Sequence, residues 1–61
     1  MNAKSNIPFV RTAGGIALCL KGRPYNVSSD DSCYPDVVAA VNNGSSEDTV
    51  LNIIDAAAAS L

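Results

Sequence analysis

The sequence predicts a small α+β domain of order ββαα: a β-hairpin covered by two helices, with an extended arm before it. Three observations predict this. Apolar residues alternate with a period of two from Ile16 to Leu20, and again at Tyr25 and Val27, on either side of a glycine. Two later stretches, around Val37 and Ile54, space their apolar residues by three and four, as one face of a helix requires. The chain has 61 residues and is 48% apolar, enough for one domain and too apolar for intrinsic disorder. The predicted divisions are an arm over 1–13, the hairpin over 14–29, a first helix over 33–43 and a second over 46–60.

In the arm, Met1–Asn6 is polar, and Ile7-Pro8-Phe9-Val10 is apolar but holds a proline that confines it to an extended or edge conformation. Its apolar side chains are expected to dock on their own domain or on a neighbouring copy. Gly14-Gly15 breaks the chain direction. Ile16–Lys21 then reads as a strand with Ile16, Leu18 and Leu20 on one face and Ala17, Cys19 and Lys21 on the other. Gly22-Arg23 is the predicted tight turn, since glycine adopts positive φ freely. Pro24–Ser28 is the return strand, with Tyr25 and Val27 on the apolar face and Asn26 and Ser28 pointing away. A lone hairpin is marginal in water, so its apolar face needs a cover.

Two helices provide it. Ser29-Asp30-Asp31-Ser32 is rich in residues that cap helix N-termini, and Pro35 suits a first helical turn. Tyr34, Val37, Val38 and Val41 form one stripe, and Asn43 or Gly44 is placed for a left-handed cap. Ser45 and Asp48 have capping-box spacing, and the Glu47-Asp48 pair suits the positive end of the second helix. Val50, Leu51, Ile54, Ala57, Ala58 and Leu61 form its stripe, widened by Ile53. Apolar positions beyond one face, in a chain with room for only a marginal core, predict self-association. Phe9, Ile53, Ala57 and Leu61 are the candidate interface residues, and a homo-oligomer is the expected state.

Composition excludes several chemistries. With no histidine there is no Ser-His-Asp or Cys-His catalysis and no histidine-assisted zinc site. Asp30 and Asp31 read as capping and solvated residues, and Cys33, near a helix start, has no base to activate it. No catalytic residue, metal site or cofactor is expected, and the chain reads as a non-enzyme. Cys19 and Cys33 are too few for a metal cage and not in redox spacing. Free thiols are the expectation, with pairing left open. Four Lys+Arg in a chain of net charge −2 argue against a nucleic-acid partner. The apolar run Ala13–Leu20 is too short to cross a membrane, so no membrane association is expected.

The charges are segregated. Lys4, Arg11, Lys21 and Arg23 precede every anion, and Asp30, Asp31, Asp36, Glu47, Asp48 and Asp55 follow. A basic hairpin against acidic helices accounts for this within one fold. A second reading gives the basic turn an anionic ligand: Lys21, Arg23 and Tyr25, with Ser45 and Ser46 at a helix start, would hold a nucleotide-type molecule at a subunit junction.

The run Ile16-Ala-Leu-Cys-Leu-Lys-Gly-Arg-Pro-Tyr-Asn-Val27, then Tyr34-Pro-Asp-Val-Val-Ala-Ala-Val41, then Gly44 and Val50-Leu-Asn-Ile-Ile-Asp55, resembles a module at the N-terminus of bacteriophage proteins similar to the rapid-lysis protein B. The resemblance covers about residues 14–56. It implies a phage origin and the cytoplasm of an infected bacterium. Short phage proteins commonly act by binding, so the implied function is non-catalytic inhibition of a host process, such as defence, through a host protein. Sequestration of a small anionic ligand is the alternative, and a structural or accessory phage module without ligand is the third.

Overall fold

The structure is a computed structural model, and it describes residues 7–60. The predicted polar start of the arm, Met1–Asn6, and the candidate interface residue Leu61 lie outside the described residues. Three strands, β1 (Phe9–Thr12), β2 (Gly15–Leu20) and β3 (Arg23–Ser28), precede two helices, α1 (Tyr34–Asn42) and α2 (Glu47–Ala59). The strands form one antiparallel sheet in the order β1-β2-β3. The fold is thus the small α+β domain expected, with one refinement. The arm docks on its own domain as a third strand, Phe9 opposite Leu18 and Arg11 opposite Ile16. Ile7, just before β1, is buried in the core.

The second turn sits one residue earlier than the sequence suggests. Leu20 faces Arg23, and the turn residues are Lys21 (φ 52°) and Gly22 (φ 77°). Two consecutive positive φ values make the hairpin turn whose twist matches the strands. Arg23 cannot share that role, because a residue before proline is held extended. The period-two alternation then puts Ile16, Leu18, Leu20 and Val27 in the core. Leu20, Val37 and Val50, one from the sheet and one from each helix, are fully buried where the layers meet.

α1 buries Val37 and Ala40, with Tyr34, Val38 and Val41 packed at the margin. Its start departs from expectation. Cys33 stands at the cap position with no side-chain hydrogen bond. The polar residues before it close their own turn instead: the Ser28 amide donates to Asp31 Oδ2 (3.1 Å) and the Asp30 amide to Ser28 Oγ (3.1 Å). α1 ends at Gly44, φ 74°. The Ser45 amide reaches Ala40 O (2.9 Å) and the Gly44 amide Val41 O (3.2 Å), the paired bonds of a Schellman cap.

That cap decides where α2 begins. Ser45 is held by the end of α1, so Ser46, in extended conformation, caps α2 by accepting from the Thr49 amide (3.2 Å). The capping serine is therefore one residue later than the Ser45–Asp48 spacing suggests. Ser46→Ala is expected to cost about 1 kcal/mol, read as a lower urea midpoint at unchanged slope, and Ser45→Ala much less. Equal effects of the two would contradict this assignment. In α2, Val50 is buried, and Leu51, Ile53, Ile54 and Ala57 pack partly against the core. Ala58, placed on the stripe by its spacing, is exposed. Among the described residues no helix is long and apolar enough to cross a membrane.

Candidate binding surface

Both helices lie on one side of the sheet, which leaves its other face uncovered. The same alternation that sends Leu18 inward sends Ala17 and Cys19 outward, joined by Val10 from β1 and by Pro24 and Asn26 from β3. With Pro8, these residues line a shallow depression of about 420 Å³. No strand residue on this face carries a charge: Val10 and Thr12, Ala17 and Cys19, and Pro24, Asn26 and Ser28 are all neutral. An open sheet face is ordinarily the polar one. The only large hydrophobic side chains exposed among the described residues, Phe9 (43%) and Val10 (64%), belong to β1. The sequence reading placed Ala17 and Cys19 away from the core but drew nothing from it. That reading also put Lys21 on this face, and only the turn at Lys21-Gly22 removes the one charge from it.

The residues proposed for an anionic ligand are only partly brought together. Lys21 does reach the start of α2, but its partners there are carboxylates. Its backbone amide donates to Glu47 Oε1 (2.7 Å), and its ammonium pairs with Asp48 Oδ1 (2.8 Å). One cation thus stands against two anions, and the positive end of α2 is met by the protein's own acids. Ser46 is committed to its cap. Tyr25 lies opposite Leu18, partly buried against the core, and Arg23 is exposed beside the turn. The arrangement is a clamp between hairpin and helix, and its net charge is unfavourable for an anion.

The hydrogen bond to Asp48, then its charge, raise the Lys21 pKa above the ordinary 10.5. A folded-state value above the unfolded one means that, with the carboxylate ionised, the pair stabilises the fold at neutral pH and up to the ordinary value, and ceases to as pH rises through the raised one. Lys21→Met should therefore melt slightly below the parent at neutral pH. The gap should close on titration above pH 10.5. A gap independent of pH would contradict the pairing.

The candidate interface is also redistributed. Ile53 and Ala57 are partly buried against their own core, whereas Phe9 remains exposed. Much of the apolar surplus of α2 is therefore used internally, against β2 and α1. A second cleft, about 350 Å³, lies between the β3–α1 loop and the C-terminal half of α2, with Val27, Cys33, Ile54 and Ala57 beside the exposed Asp30 and Asp31. Among the described residues, no buried side-chain polar atom lacks a partner and no metal-binding cluster occurs. Both cysteines are free, Cys33 in the core and Cys19 on the open face. No family model matches the chain, and no curated protein or solved structure is similar to it.

Proposed function

We propose that this is a small non-catalytic protein that works by binding another protein through the uncovered face of its sheet. The observation that carries the reading is the neutral, apolar-rich outer face around Val10, Ala17, Cys19 and Pro24. A face without cations lacks the means to hold a nucleic-acid backbone or an anionic membrane. A partner that buries neutral surface against neutral surface fits it better, and a protein offers such surface. The resemblance to phage modules supports a host protein of an infected bacterium as that partner, and inhibition of a host process as the outcome.

The test is capture from bacterial lysate with paired variants. Ala17→Arg places a charge in the middle of the open face, and Asn52→Arg places one at an exposed position of α2. A partner retained by the parent and by Asn52→Arg but lost with Ala17→Arg, at unchanged circular dichroism, is the expected result. Capture indifferent to Ala17→Arg, or no partner at all, would defeat the reading.

A further inference from the structure

We infer that the free edge of β1 takes a second copy of this chain, joining two three-stranded sheets into one of six. The inference rests on the reading that the sheet is the binding element, and it names one partner of it. In an antiparallel pair the residues alternate between those bonded to the neighbour and those facing away. The Cys19 amide donates to Pro8 O (3.0 Å), which sets the phase: Pro8, Val10 and Thr12 bond to β2. The amides and carbonyls of Phe9 and Arg11 therefore point away from the sheet. Bare edges of this kind are templates for another strand unless proline, a bulge or a cover blocks them. On β3 the same alternation turns Pro24 outward, where it offers no N–H. Among the described residues β1 has no such block between Phe9 and Thr12, and all four of its residues are exposed.

The edge is complementary to itself. Within Phe9–Thr12, one antiparallel register pairs every outward group: Phe9 of each copy opposite Arg11 of the other. Each pair exchanges two hydrogen bonds, so the register makes four. The Arg11 guanidinium, which donates to Tyr34 Oη within its own copy (3.3 Å), then shares a face with the Phe9 ring of the other copy, and like charges do not face one another directly. Val10 then meets Val10 of the second copy on the open face. Both large exposed hydrophobic side chains are covered at once. A foreign strand gains the same backbone bonds but has no reason to satisfy Phe9 and Arg11 together, which is why a second copy is the occupant. The two open faces become one continuous surface.

The register gives a sharp test. Val10 lies on the axis in a non-bonded pair, where Cα atoms approach to about 4.5 Å, within disulfide range. Thr12 shares its face, but the two copies lie four residues apart along the strands, roughly 13 Å. In a Cys19→Ser background, Val10→Cys is expected to cross-link most of the protein to twice the 6.3 kDa chain mass under mild oxidation, read after denaturation, and Thr12→Cys to run at the single-chain mass. No cross-link with Val10→Cys, or equal cross-linking of the two, overturns the proposal. Arg11→Pro removes an outward N–H that β2 does not use. It should leave a folded monomer by light scattering, whereas a folded dimer would overturn the pairing. An unpaired monomer that still captures an Ala17-dependent protein would sink this inference and spare the binding function. A cross-linked dimer that captures nothing would do the reverse.

Discussion

Gly15→Ala is expected to remove a third or more of the stability of this protein, while Gly14→Ala beside it is nearly neutral. A Cβ on Gly15 would sit 2.0 Å from the Val27 carbonyl oxygen and 3.0 Å from Ser28 Cα and the Ser29 nitrogen. All three are backbone atoms of β3 or the residue after it, so no side-chain rotation relieves the overlap. The strands must separate where the Ser29 amide bonds to Gly14 O (2.8 Å). The backbone at Gly15, φ 155°, is also one that side-chain-bearing residues rarely adopt. The expected cost is about 3 kcal/mol, the upper end for overpacking, against a total of roughly 3–9 kcal/mol for a chain of this size. Thermal unfolding should shift down by roughly 12–24 °C. A Cβ on Gly14 meets nothing within 4 Å. Equal melting of the two variants would show that the strands do not approach as described.

The second large effect is expected at Leu20. It is fully buried beside Val37 and Val50 in the core cluster, at the end of β2 where the sheet reaches the start of α2. Leu20→Ala leaves a cavity that the closing pair with Arg23 and the Lys21–Glu47 hydrogen bond hinder from collapsing. A loss of about 3 kcal/mol follows, within the range for buried leucine. Val10→Ala, at a residue 64% exposed, should change stability by less than about 0.5 kcal/mol. Urea denaturation of both variants at low protein concentration, where self-association does not contribute, separates the two positions. Comparable losses would mean that the two faces of the sheet are packed alike.

Much of the fold is legible in the chain because its signals are local and periodic. Ile16, Leu18 and Leu20 declare a strand with one buried face; Val37 and Val50 fall on helical stripes; Gly44 marks the end of α1. The misplacements are of one residue and share a cause. Lys21 enters the turn because Pro24 holds Arg23 extended. Ser46 rather than Ser45 caps α2 because the Ser45 amide is already bonded to Ala40. In each case neighbouring residues had equal local claims to a role, and a bond made elsewhere chose between them. The functional surface was less legible. Lys21 and the serines look like an anion site in the sequence because the acids beside the serines, Glu47 and Asp48, read there only as partners of the helix dipole; the fold is what brings Lys21 against them.

The sequence by itself determined the class of fold, the inward face of β2 and β3, the two helices, and the lack of any histidine chemistry. These depend on residue type and spacing alone. Only the tertiary structure decided that the arm is a strand, that both helices share one side of the sheet, and that the other side is left neutral and open. Those facts depend on which segments far apart in the chain come to lie together. The arm's Phe9 and Val10 carry the same apolar signal whether buried or bare, so only the assembled sheet shows that they are bare.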